Sequence, residues 1–230
     1  MTKKFEYANP NWIDRNIPHS DRFSDTYYTK TDGQGETDHV FIKGNNLTDR
    51  WARSQHFTIA ELGFGTGLNF LETARQWGMN WRDNTSLKFV SFELFPLNSK
   101  DIHRAISRWN ELHDLSEFLC QNWSSDHDRL QLEFPCNIQL DLFFGDANKI
   151  LPDQRLDVDA WYLDGFSPSK NPELWNEKLL QNVYDTTLPG GSFATYSVAG
   201  FVRRNLQAAG YTIKRANGFG SKREMLTGYK

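Results

Sequence analysis

Four acids stand out by where they fall. Glu61, Glu93, Asp146 and Asp164 each come at or just after the end of a short apolar run, and glycines at alternate positions, Gly63, Gly65 and Gly67, follow the first. A glycine lets the backbone take a positive φ, or lets a ligand come close with no Cβ in the way. Leu68, Phe70, Leu71 and Ala74 then resume at helical spacing, so Thr58 to Leu71 reads as strand, glycine turn, helix. A helix start behind such a turn offers unpaired N–H groups to a carboxylate or phosphate. The dinucleotide pattern G-x-G-x-x-G would put its last glycine where this chain has Leu68.

The spacing here is instead E-x-G-x-G-x-G, the usual first motif of S-adenosylmethionine-dependent methyltransferases. That cofactor carries an amino-acid end and no pyrophosphate. Glu61 is expected to hold its ammonium, directly or through water, with Gly63, Phe64, Gly65, Thr66, Gly67 and Asn69 as further contacts around the turn. Glu93, preceded by Phe92, ends the second apolar run, where an acceptor can take both ribose hydroxyls. Asp146, followed by Ala147, is placed to accept from an adenine amino group. Taken singly, each acid reads equally well as a turn former or a helix cap. Their regular placement is what argues for a site.

Asp164 heads Asp164-Gly165-Phe166-Ser167-Pro168-Ser169-Lys170-Asn171-Pro172, a loop stiffened by two prolines and a glycine. Methyl transfer from a sulfonium is an in-line displacement, so it needs orientation and a neutral acceptor and no covalent nucleophile or metal. A carboxylate can hold the N–H groups of an amine acceptor, aim its lone pair and take up positive charge as it develops. Asp164 is the candidate catalytic residue, and it also borders the expected cofactor site. Other chemistries do not gather: the six histidines and two cysteines show no metal-ligand spacing, so no metal is expected. There is no G-x-S-x-G elbow and no P-loop lysine.

These residues need a scaffold. Strands from Phe57, Leu87–Leu94, Ile138–Phe144, Val158–Leu163 and Ser192–Tyr196 alternate with helices near 98–109, 174–184 and 199–209, the last capped by Gly210. That alternation predicts an α/β, Rossmann-like fold with a mostly parallel central sheet and ligands at the strands' C-terminal ends. Tyr211–Arg215 and Glu224–Tyr229 are expected to add an antiparallel C-terminal edge. Residues 1–55 read as an added β segment, with Phe23–Thr29 and His39–Ile42 paired as a hairpin across Thr31 to Glu36. With no repeat, low-complexity tract or linker, 1–230 is expected to be a single domain. The N-terminus lacks a long apolar core, which predicts a cytoplasmic protein with no membrane contact. A formal net charge of −3 argues against a generic nucleic-acid coat. From Phe201 onward, however, seven lysines and arginines stand against Glu224 alone, enough to steer a phosphate backbone to one face.

Three motifs together carry a more specific resemblance: Glu61 to Phe70, Asp164 to Pro172, and Gly218-Phe219-Gly220-Ser221-Lys222-Arg223-Glu224-Met225. With Thr26-Tyr27-Tyr28, Glu36-Thr37, Val40-Phe41, Ser91-Phe92-Glu93, Phe144-Gly145-Asp146 and Ala199 to Arg204, they make the chain similar nearly end to end to the methyltransferase domain of the MnmC family. The departures are small: Leu62 where a smaller residue is expected, and Ser167 and Ser169 where alanines are usual. The resemblance implies methylation of the amine of 5-aminomethyl-(2-thio)uridine at the wobble position of tRNA. It implies that Asp164 and the loop from Phe166 through Pro168 to Pro172 form the aminomethyl-uracil pocket, that Tyr27, Tyr28 and Phe166 stack on the base or close over the cofactor, and that Lys170, Arg203, Arg204, Lys222 and Arg223 meet phosphates of the anticodon stem-loop. In that family an FAD-dependent oxidoreductase half first removes a carboxymethyl group; this chain looks like the stand-alone or excised methyltransferase half, and whether a separate FAD-dependent oxidoreductase partner acts with it stays open. From the residues alone, a methyltransferase for a small amine or a protein stays open, as does a nucleotide-binding module without methyl transfer.

Overall fold

The computed structural model describes residues 6–230. The N-terminal segment forms β1 (Asn11–Ile13), β2 (Ile17–Ser20) and β3 (Asp25–Thr26), a small antiparallel sheet, followed by α1 (Gly33–Thr37), a π-helical turn (Asp38–Lys43) and α2 (Leu47–Trp51). The expected β segment is therefore present, but the expected hairpin is not. His39–Ile42 is helical, and the series read as a turn is a helix start: Asp32 Oδ1 accepts from the Gly35 N–H at 2.8 Å and caps α1. Val40, Phe41 and Ile42 are all buried, a continuous apolar run whose period does not separate strand from buried helix.

The rest of the chain runs β4 (His56–Leu62), α3 (Leu68–Asn80), β5 (Ser86–Glu93), α4 (Ser99–Ile106), α5 (His113–Gln121), β6 (Arg129–Phe134), β7 (Ile138–Phe144), α6 (Ala147–Ile150), β8 (Val158–Leu163), α7 (Glu177–Asp185), β9 (Thr187–Thr195), α8 (Gly200–Ala209), β10 (Thr212–Asn217) and β11 (Glu224–Tyr229). The strands make one eight-stranded sheet in the order β10-β11-β9-β8-β4-β5-β7-β6. Its five central strands are parallel. The expected antiparallel edge of β10 and β11 is there, joined to β9. The opposite edge is antiparallel too, through β6, which sequence reasoning passed over together with α5. As an edge strand β6 alternates exposed and half-buried residues, and its polar Arg129 and Gln131 hide a strand that a search for apolar runs misses.

Side chains on the central strands alternate between two cores. Phe57, Ile59, Phe89, Leu140 and Tyr162 face one side, under Phe70, Leu71 and Trp77 of α3 and Ile102 of α4. Ala60, Leu62, Val90, Trp161 and Phe193 face the other, under Leu179 and Val183 of α7 and Leu206 of α8. Burial on both faces is why these strands read as unbroken apolar runs. The turn between β4 and α3 depends on Gly67, which caps the helix at φ 76°, and a Cβ there would lie 2.9 Å from the Phe64 ring. Because β4, β5, β7, β8 and β9 run the same way, their C-terminal ends open on one rim, and the cleft lies there.

Candidate active site

A cleft of about 1190 Å³ crosses that rim. At one end lie the glycine turn, Glu93 and Asp146. Glu93 Oε2 accepts from the Gly65 N–H and Oε1 from the Phe95 N–H, both at 2.8 Å. Burial lifts its pKa above the ordinary carboxylate value, against the pull of those N–H groups. Each carboxylate oxygen keeps a lone pair for a further donor, which suits a pair of vicinal hydroxyls. Asp146 Oδ1 accepts from the Asn148 N–H at 3.0 Å and starts α6, so it serves as a helix cap while its side also lines the cleft.

The floor of the cleft is a polar network centred on Asn69. The Thr37 hydroxyl donates to Asn69 Oδ1 at 2.7 Å, which fixes the orientation of the amide. Asn69 Nδ2 then donates to Glu61 Oε1 at 2.9 Å and to Asp164 Oδ2 at 2.7 Å. Glu61 Oε2 accepts from the Ser91 hydroxyl at 2.7 Å, and Asp164 Oδ1 accepts from the Gly165 N–H at 2.8 Å. Glu61 is 0 % exposed, and burial pushes its pKa well above the usual value. Burial likewise raises Asp164 to about 6; the nearby Glu36 adds to the rise, while hydrogen bonds and Lys222 oppose it. Among the described residues no lysine or arginine bonds to Glu61 or Glu93, so both acids are free of a cationic partner from the chain itself. With a ring of positive-φ glycines beside them, the arrangement fits S-adenosylmethionine.

The other end is walled by segments far apart in sequence. Phe166 stacks on Phe23, with ring centroids 4.6 Å apart, and meets the edge of Tyr27 at 5.1 Å. Asp25 Oδ2 accepts from the Ser167 N–H at 3.1 Å, and the Lys170 ammonium lies 3.8 Å from Asp25 Oδ1 and donates to the Ser24 carbonyl at 2.5 Å. The N-terminal segment thus pins the loop after β8. Gly165 is needed in that loop: at φ 139° a Cβ would lie 2.3 Å from Leu174. From the far side come Tyr196 and Lys222, with the Tyr196 hydroxyl donating to the Gly165 carbonyl.

Most of the expected cofactor residues line the cleft: Gly63, Phe64, Gly65, Thr66, Asn69, Phe92, Glu93, Asp146, Ala147 and Asp164. Glu61 and Gly67 stand behind the wall, and Glu61 reaches the cleft only through Asn69. On the acceptor side Phe166 and Lys170 line it and Pro168 is buried outside it. Tyr28 lines the cleft as well, and it is also a structural fastener. Its ring is 7 % exposed and packs edge-on against Trp109, and its hydroxyl lies 2.8 Å and 2.9 Å from the Asn16 and Ala105 carbonyls, so it fastens the N-terminal segment to α4. Lys222 lines the cleft too, and its ammonium is bonded to Glu36. Arg203, Arg204 and Arg223 lie outside the cleft and, among the described residues, make no side-chain hydrogen bond or ion pair. Sequence reasoning missed Phe23, Asp25 and Tyr196, and it saw Glu36 only as part of a turn and a resemblance. No spacing marks these residues, because the fold alone brings them together.

A parallel sheet with a glycine turn and a strand-end acid in this order defines a Rossmann-like methyltransferase fold. Comparison with known proteins agrees. A family model described as S-adenosyl-L-methionine-dependent methyltransferase matches residues 110–230, and the chain belongs to that family. It is 41 % identical over 237 aligned positions to the tRNA 5-methylaminomethyl-2-thiouridine biosynthesis bifunctional protein MnmC of Vibrio campbellii, an alignment covering 96 % of this chain and 35 % of that one. The chain therefore spans about a third of the length of that curated relative. The crystal structure of MnmC2 from Aquifex aeolicus superposes with a TM-score of 0.75 at 22 % identity, over 96 % of this chain and 72 % of that one. The resemblance read from the motifs is borne out. Among the described residues no group of three or more His, Cys, Asp or Glu side chains is placed to hold a metal ion, and no helix is long and apolar enough to cross a membrane.

Proposed function

We propose that the protein methylates the primary amine of 5-aminomethyl-(2-thio)uridine at the wobble position of tRNA, giving 5-methylaminomethyl-(2-thio)uridine. The observation that carries this reading is Asp164, a carboxylate set between the glycine-turn end of the cleft and the aromatic acceptor end, with one oxygen held by Asn69 and the other by its own loop. Bound S-adenosylmethionine supplies a methyl group on a sulfonium that leaves as a neutral thioether. Glu93 and Asp146 take the ribose and adenine ends, and the glycine turn with Asn69 takes the amino-acid end, Glu61 acting through Asn69. The acceptor arrives as an ammonium and loses one proton to the Asp164 carboxylate. The freed lone pair forms the new N–C bond as the S–C bond breaks, which leaves a secondary ammonium, and Asp164 returns its proton to water. A pKa near 6 suits a base working near neutrality.

The substrate class draws support from the name of the Vibrio relative and from the unpaired arginines Arg203, Arg204 and Arg223. A wobble base must leave its stack to reach the cleft, and Phe166, Phe23 and Tyr27 offer aromatic faces to it. In this reading residues 1–230 work as one unit, the N-terminal segment supplying a wall of the acceptor site. A cytoplasmic location and a separate oxidoreductase that generates the amine belong to the same proposal.

The test is methyl transfer from labelled S-adenosylmethionine to bulk tRNA from cells lacking this modification, followed by nucleoside mass spectrometry. A 5-methylaminomethyl mark at the wobble uridine is expected. Cofactor binding without transfer to any tRNA would overturn the substrate and favour a small amine or a protein.

A further inference from the structure

Asp164 is not the only carboxylate at the acceptor end. Glu36, on α1, is 8 % exposed, and its Oε1 lies 2.7 Å from Lys222 Nζ. The same ammonium sits 3.7 Å from the centroid of the Tyr196 ring, whose hydroxyl is tied to Gly165 beside Asp164. All four side chains line the cleft. A carboxylate on one side and an aromatic face on another make a binding site for a cation. In the free protein an ammonium of the chain itself fills it.

The two members of the pair are unequally held. The Lys222 side chain is 39 % exposed and comes from the short connection between β10 and β11, whereas that of Glu36 is 11 % exposed on a capped helix. The cation has water to move into, and the carboxylate has little. A carboxylate so placed is costly without a partner, so one cation or another is needed against it. We infer that Glu36 and the Tyr196 ring form the subsite for the charged primary amine of the acceptor, and that Lys222 holds it until the incoming ammonium takes its place. This rests on the amine-acceptor reading above and names the residues that select it. The exchange swaps one ammonium for another and leaves the charge of the pocket unchanged. A neutral substituent cannot make that exchange, since it would leave Glu36 unpaired or Lys222 in place. Glu36 forms no bond to carbon; it positions the nitrogen beside Asp164, which takes the proton.

The experiment is a calorimetric titration of the protein, saturated with S-adenosylhomocysteine, with two nucleosides, 5-aminomethyluridine and 5-methyluridine. Glu36→Gln is expected to weaken the aminomethyl nucleoside by about tenfold or more and to leave 5-methyluridine unchanged. Glu36→Asp is expected to recover part of the loss. Lys222→Met, which removes the competitor, is expected to strengthen aminomethyl binding severalfold. The S-adenosylhomocysteine Kd reports folding in each variant, and Lys222→Met keeps the test decisive if Glu36→Gln does not fold. A wild-type protein that binds the two nucleosides equally, or a Lys222→Met variant that binds the amine more weakly, overturns the subsite. So does normal tRNA methylation by Glu36→Gln, which leaves the proposed reaction standing. Selective amine binding lost in Glu36→Gln, with no tRNA methylated by the wild type, supports the subsite and overturns the tRNA reading.

Discussion

At the cofactor end of the cleft, Gly63 and Gly65, Phe92 and Glu93, and Asp146 sit directly at or behind the C-terminal ends of β4, β5 and β7. Those strands are locked to one another by parallel ladders, so backbone pairing alone sets the spacing of these groups. The acceptor end is assembled differently. Phe23, Asp25 and Glu36 come from before the first central strand, Phe166 from the loop after β8, and Lys222 from between the last two strands. Stacking, ion pairs and single hydrogen bonds hold them. On the proposed reading a rigid sheet presents the common reagent, while side chains on added segments choose what it reacts with. Changes at one end should therefore leave the other nearly untouched.

The largest test of that independence is Asp164→Asn. It should slow methyl transfer by roughly 10²-fold or more while cofactor affinity stays close to wild type, as measured by single-turnover transfer and by titration. In the wild type, kcat/KM should fall about tenfold per pH unit below pH 6, because a base of raised pKa is lost to protonation from there downward. The sign for stability is opposite. With its folded pKa above the unfolded value of 3.8, Asp164 stabilises the fold as pH drops from about 6 toward 3.8, so activity should fail in that window while this group adds to stability. At the other end, Glu93→Ala should raise the cofactor Kd by about 10- to 100-fold through loss of charged acceptors, with tRNA affinity unchanged in a filter-binding assay.

How much of this was legible follows the same division. The glycine turn and the four strand-end acids could be read because each lies within a few residues of the strand that places it. The apolar runs of β4, β5, β7 and β8 carry the sheet in the same local way. Glu36 and Tyr196 could not be read so, because their chemistry arises from a contact between chain segments that no period or spacing encodes. Asp32 misled for a different reason: an aspartate before glycines starts a turn and caps a helix with equal ease, and the burial of Val40 to Ile42 decides for the helix. Glu61 stands behind the cleft wall and meets it only through Asn69, an arrangement that a sequence does not show.

Two smaller effects sharpen the comparison. Reversing Arg203, Arg204 and Arg223 to Glu should weaken tRNA binding and lower the slope of log Kd against log salt by about one per lost phosphate contact, with cofactor binding unaffected. Unchanged salt dependence would reduce these arginines to plain surface. Phe23→Ala, which removes the stacking partner of Phe166, should raise KM for tRNA by about three- to tenfold and leave kcat within a factor of two. An effect on cofactor Kd instead would mean the two ends are mechanically joined.

The contact between α1 and the β10–β11 connection also sets an order of events during synthesis. The glycine turn, Glu93 and Asp146 leave the ribosome early, and the strands that align them are neighbours that pair as they emerge. Glu36 leaves earlier still, yet it waits for Lys222, 186 residues later, before its carboxylate has a partner. At roughly 5–20 residues per second that interval is on the order of ten seconds or more. A nascent chain stalled before this hairpin would hold a nearly finished reagent site beside an open, unpaired carboxylate, so on the proposed reading the acceptor subsite is completed after the cofactor site.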